Sequence, residues 1–158
     1  MPEKLIDPIV IGAKIVTDIQ TIVSRTISPS DHAVVSVTNF ETDGARNVIA
    51  SKVKITGDCR GFEVHISESI QARMNAIVAN NCASYDADFS FSYLTSFVPL
   101  LNSEAHTELC AKVADKISGA CVRSDFGRVG FSEDFAQMLK VKPGAYILMG
   151  NGRGIGNY

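Results

Sequence analysis

No CxxC pair and no HxH or HExxH spacing occur in the chain, and its three histidines, His32, His65 and His106, stand far apart, so no metal-ligand cluster is legible. The four cysteines, Cys59, Cys82, Cys110 and Cys121, are scattered, with Cys110 and Cys121 in or beside apolar patterns. They read as buried free thiols of a reducing cytosol, not as a disulfide frame or a zinc site. A basic excess is missing as well: 15 Lys and Arg against 17 Asp and Glu leave a net charge of −2. That removes the electrostatic footprint of a nucleic-acid or acidic-membrane partner. No apolar run approaches the roughly 20 residues of a membrane span. The opening "MPEKLIDPIV" places acids and a proline where a signal peptide carries a basic and then an apolar stretch. These absences predict a soluble, cytoplasmic chain with small-molecule or protein partners.

What is present is a chain of 158 residues, 46% hydrophobic, enough for one ordinary domain with a core or for pieces of two. Asp7 before Pro8 is a helix start, and Ile11, Ile15, Ile19, Ile22 and Val23 continue it at helical spacing to about Thr26. "HAVVSVTNFET" reads as a strand with Val35, Val37 and Asn39 on one face. After the turn "TDGARN", a second strand carries Ile49, Val53 and Ile55 on one face and Lys52, Lys54, Thr56, Asp58 and Arg60 on the other. Ile66, Ile70, Met74, Ile77 and Val78 fit a helix ending near Asn80 and Asn81, and "DADFSFSYLTSF" alternates again with Phe89, Phe91 and Tyr93 together. The order α-β-β-α-β is a ferredoxin-like sandwich with its first strand missing. Beyond Val98 and Pro99, Ser103 caps a helix through Leu109, Val113 and Ile117. Ser132 caps a second helix, "EDFAQMLK", and Pro143-Gly144 turns into a last strand. The fold class expected is α+β, with one domain over residues 1–97 and another over 98–158.

Three clusters could carry chemistry. Asn47 near the hairpin turn and Arg60 on the polar strand face are suited to an oxyanion and a carboxylate, although turn asparagines and strand arginines are commonly structural. Glu133 and Asp134 in "GFSEDF" have the position of ordinary first-turn helix acids. The terminal "GAYILMGNGRGIGNY" suggests a phosphate loop, but Ile155 and Asn157 stand where GxGxxG needs glycine, and no GK[ST] follows. A glycine-permissive loop describes it better.

The stretches "MPEKLIDPIVIGAKIV", "DGARNVIASKVKITGDCRGF", "VPLLN" and "GFSEDFAQMLKVKPGAYILMGNG", in this order, resemble the middle-to-late part of hippurate hydrolase-like N-acyl-amino-acid amidohydrolases. These form the aminoacylase-related branch of the two-metal metallopeptidases. The resemblance implies a lid and dimerisation domain over 1–97, incomplete at its front, and a returning segment of a partial α/β catalytic domain over 98–158. It implies cleavage of the amide bond of an N-acyl amino acid, hippurate-type, with two divalent ions, zinc or manganese, in the complete enzyme. Asn47 falls on the family's N-V-I-P asparagine and Arg60 on its G-D-T-R-S-F arginine, which makes them substrate-binding. Ala50, Cys59 and Gly61 depart from those elements. Glu133 and Asp134 fall on S-E-D-F near the active-site cleft. A homodimer through the strand His32–Thr42 and the helix Pro8–Thr26 is also implied. So is a fragment, inactive alone, that lacks the metal ligands. The other reading left open is a non-catalytic dimerisation or ligand-binding module.

Overall fold

A computed structural model describes residues 5–118, 122–130 and 132–150. The chain divides into two compact units, Met1–Thr95 and Ser96–Tyr158. The chain as a whole is of the α+β class: four α-helices and one antiparallel pair of strands make up the regular structure of the described residues.

In the first unit, α1 (Pro8–Thr21) begins as its sequence predicts. The Asp7 Oδ1 atom accepts from the Ile9 N–H at 2.9 Å, and Pro8 occupies the first turn, where its missing N–H costs nothing. Ile11, Ile15 and Ile19 are buried along one face. The helix then loosens into a π-helical turn, Ile22–Thr26, which carries it to the predicted end and buries Ile22. β1 (Ala33–Thr42) and β2 (Val53–Gly61) pair antiparallel, with Val35 opposite Cys59 and Phe40 opposite Ile55. α2 (Val64–Ala83) runs three residues past the expected stop at Asn80. Ile11, Ile15, Ile19 and Ile22 pack with Ile66, Ile70 and Cys82 into one core, onto which the inward faces of both strands close. Each such isoleucine contributes about 1.5–3 kcal/mol by leaving water, so this apolar layer is the main cohesive term of the unit.

Several local expectations are corrected. A β-bulge between Val37 and Asn39 inserts an extra residue, so Phe40, not Asn39, shares the inward face with Val35 and Val37. Phe40 and Val53 then close on Gly12 of α1, where an added Cβ would stand 3.0 Å from both side chains. Ile49 lies in a loop ahead of β2 and not on the strand. Asn81 is buried, and its Nδ2 donates to Asp18 Oδ2 at 2.9 Å and to the Ile77 carbonyl at 3.0 Å, tying α2 to α1. Residues 87–97 form no strand; they are extended and belong to no ladder among the described residues. The alternation is real, but alternation specifies a face, and a strand also needs a backbone partner.

In the second unit, α3 (Glu104–Ser118) starts at Ser103, whose carbonyl accepts from the Thr107 N–H at 2.9 Å and whose Oγ lies 3.0 Å from His106 Nδ1. Its stripe of Leu109, Val113 and Ile117 is exposed, Ile117 by 79%. A helical period marks an apolar face; here no second layer lies over that face within the unit's described residues. α4 (Phe135–Val141) has Asp134, not Ser132, at its N-cap position, and no side chain caps it. Residues 145–149 are in no ladder among the described residues, so the expected last strand is absent there. Gly152, Gly154 and Gly156 of the terminal loop lie outside the described residues, as does Cys121.

Candidate functional site

Asn47 is carried on a loop, residues 43–52, that Asp43 closes. One carboxylate oxygen of Asp43 accepts from the Ser51 N–H at 2.9 Å and the Lys52 N–H at 3.0 Å, and the other from the Ser51 hydroxyl. The Ser51 hydroxyl and the Lys52 amide lower the Asp43 pKa to about 2 by stabilising the charged form. Within this clamp an Ala45–Val48 bridge forms a tight turn, and Asn47 is exposed at its tip. The amide is thus displayed by a braced loop.

Arg60 sits near the other end of β2. Its Nε donates to Asp58 Oδ2 at 2.7 Å, and both side chains are more than half exposed. The pair adds little to stability, since screened surface pairs contribute about 0–1 kcal/mol; it ties the guanidinium to a neighbour on the same strand face. Arg60 lies seven residue steps beyond Val53 along β2, about 23 Å at the rise of an extended strand. Asn47 and Arg60 therefore stand at opposite ends of the hairpin. Beneath Arg60's neighbours, Cys59 is half-buried, and burial, followed by the nearby Asp58 charge, pushes its thiol pKa up. This thiol is protonated near neutrality and is no activated nucleophile.

Glu133 and Asp134 belong to the second unit. Asp134 is exposed, and its carbonyl accepts from the Gln137 N–H at 2.9 Å. Glu133 is half-buried and hydrogen-bonded to the Tyr146 hydroxyl; burial and then this carboxylate push the Tyr146 pKa up. The same tyrosine packs on Phe135 with ring centroids 5.6 Å apart. Asn102 completes the arrangement: its Nδ2 donates to the Tyr146 carbonyl at 2.9 Å and its Oδ1 accepts from the Tyr146 N–H at 2.8 Å. The Ser103 N–H donates to the Gly144 carbonyl at 2.9 Å alongside. Three of the motifs quoted above, "VPLLN", "SEDF" and "GAYI", meet here. Asn102 and Tyr146 were not singled out from the sequence. An asparagine just ahead of a helix reads as a cap, and nothing local says that its amide replaces a strand partner.

Among the described residues no group of three or more His, Cys, Asp or Glu side chains comes together.

No family model matches the chain. It is 35% identical over 102 residues to the N-acyl-L-amino acid amidohydrolase of Geobacillus stearothermophilus, a match covering 65% of this chain and 28% of that protein. A structure from methicillin-resistant Staphylococcus aureus, described as an aminohydrolase, aligns with a TM-score of 0.79 and 31% identity over 90% of this chain and 37% of that one. A Bacillus subtilis dinuclear metal binding peptidase from the M20 family aligns with a TM-score of 0.71 and 22% identity, over 88% of this chain and 35% of that one, and shows a shared fold. Over nearly its whole length the chain is similar in sequence and fold to amidohydrolases, as its motifs imply. It spans between 28% and 39% of the length of the curated relatives it matches.

Proposed function

We propose that the chain supplies the lid and a part of the catalytic domain of a metal-dependent amidohydrolase that cleaves the amide bond of N-acyl amino acids. The observation that carries this reading is the relation to an N-acyl-L-amino acid amidohydrolase at 35% identity. In this reading residues 1–97 are the lid and 98–158 the catalytic portion. The complete enzyme uses two divalent ions, zinc or manganese, which polarise the amide carbonyl and activate water. Since the described residues gather no ligand set, no step of that chemistry is assigned to them.

The chain's own contribution is binding and positioning. Arg60 holds the substrate carboxylate, for which an exposed guanidinium is suited. Asn47 donates its amide to substrate or oxyanion. Their placement at opposite ends of the hairpin supports the further reading that the two act on one substrate from different copies, in a homodimer formed through β1 and α1. Glu133 and Asp134 border the cleft. Glu133 positions Tyr146 by accepting from its phenol, which leaves Asp134 as the less encumbered acid. Hippurate-type preference and a cytoplasmic location belong to this proposal. Among the described residues no helix is long and apolar enough to cross a membrane.

Titrating the 158-residue protein with hippurate and with N-acetyl amino acids, followed by NMR, tests the binding half of the reading. The expected result is shifts at the β2 amides of Cys59 and Gly61 beside Arg60 that saturate at millimolar ligand and vanish in Arg60→Ala. Equal shifts in the variant, or none in either protein, would contradict it.

A further inference from the structure

We infer that Val34 and Phe62 form an apolar subsite beside Arg60 that takes the side chain of the substrate's amino acid, so that N-acyl amino acids with an apolar side chain are held more tightly than N-acylglycines. This rests on the carboxylate-binding role proposed for Arg60 and adds the group that lies next to that carboxylate.

The register of the hairpin places the residues. Val35 and Cys59 are opposed and pack on the core, so Val34 and Arg60, one rung further toward the hairpin's open end, are partners on the outward face. Cβ atoms of such partners lie about 4.5–5.5 Å apart, close enough for one bound molecule to touch both. The other outward pairs are polar on both strands: Ser36 with Asp58, Asn39 with Thr56, and Glu41 with Lys54. Val34 is 49% exposed and is no part of the isoleucine core. An exposed valine is ordinary by itself; this one is the partner of the guanidinium.

Phe62 follows Arg60 by two residues, and alternation returns it to the same face. It is half-buried, yet it too is no part of the core. Its ring meets that of His32, two residues before Val34, edge to face with centroids 5.7 Å apart. This contact continues the cross-strand pairing past Ala33 and Gly61. Apolar side chains on the outward strand face therefore gather around Arg60.

Charge sets the direction of approach. Asp58, two residues before Arg60, bonds its Nε at 2.7 Å. A second carboxylate is repelled from that side and meets the guanidinium on the side toward Phe62. A long cationic side chain beside a short apolar one makes a step, with the guanidinium as its wall and Val34 as its floor. When the wall binds the carboxylate of an amino acid, the α side chain lies over the floor. A leucine side chain leaves water there, and a glycine leaves the floor bare.

NMR titration of the 158-residue protein with hippurate and with N-benzoyl-L-leucine, which differ only in that side chain, tests this at the amides of Val35, Cys59 and Gly61. N-benzoyl-L-leucine should bind about threefold or more tightly than hippurate. Val34→Thr keeps the branched shape and the strand preference of valine while making the floor polar. In this variant the affinity ratio should fall to half or less, with hippurate binding unchanged. A smaller preference in the unmutated protein, or a ratio in Val34→Thr above half the original, overturns the inference while leaving the role of Arg60 intact, provided that the hippurate shifts vanish in Arg60→Ala. Equal binding of N-benzoyl-L-leucinamide, which lacks the carboxylate, also overturns it. If neither hippurate nor N-benzoyl-L-leucine shifts these amides, the subsite and the role of Arg60 fall together.

Discussion

Asp43 keeps its carboxyl ionised down to about pH 2 because the Ser51 hydroxyl and the Ser51 and Lys52 amides bond the charged form. Its folded pKa is depressed, so the order it brings to the 43–52 loop is complete above its unfolded value of about 3.9 and is lost as pH falls toward 2. The Ser51 and Lys52 amide resonances should therefore titrate together between those limits, and Asp43→Asn should abolish that titration without unfolding α1 or α2. A separate constraint sits at Gly57, where a Cβ would collide with the Ser36 carbonyl beside the bulge. Gly57→Ala should lower stability by about 1–3 kcal/mol in urea unfolding, through overpacking against backbone that cannot give way. Both devices depend on partners distant in sequence, which is why the hairpin was legible in its alternation while the bulge, the clamp and the exchange of Asn39 for Phe40 were not.

At the scale of elements, α1 illustrates what a sequence can state outright. Its cap, its proline and its isoleucine spacing are all local, and each is found where the spacing puts it. The Asn81–Asp18 bond is the opposite case, since it joins two helices 63 residues apart. Asn81→Ala would leave the Asp18 carboxylate without this donor and should cost about 1–3 kcal/mol, with a coupling to Asp18→Ala seen in a double-mutant cycle. Two extended segments, residues 87–97 and 145–149, were read as strands because their side chains alternate. The first joins no ladder among the described residues, and the Tyr146 stretch of the second is held by an asparagine side chain that imitates a strand partner. Alternation predicted their conformation and the faces they show, but pairing is a property of two segments and cannot be read from one.

Across the whole molecule, cohesion is uneven. The first unit has a continuous isoleucine core, whereas among the described residues after Thr95 only Ala136 is buried. Local stability follows buried apolar contact, so amides of α3 should exchange at least about tenfold faster than those of α1 and α2. The candidate site is similarly divided. The sequence supplied residue types and order for Asn47, Arg60, Glu133 and Asp134, yet gave no sign that the first two lie at opposite ends of one hairpin or that Glu133 is engaged with Tyr146. We propose that Asn47 and Arg60 face substrate while the described residues hold no metal set. This is tested most directly by titrating the 158-residue protein with zinc and with manganese in a calorimeter and assaying the same samples for hydrolysis of hippurate and N-acetyl amino acids. The account predicts no stoichiometric ion binding at micromolar concentrations and no hydrolysis above the metal-only blank. Binding of two ions per chain with metal-dependent release of the free amino acid would contradict it.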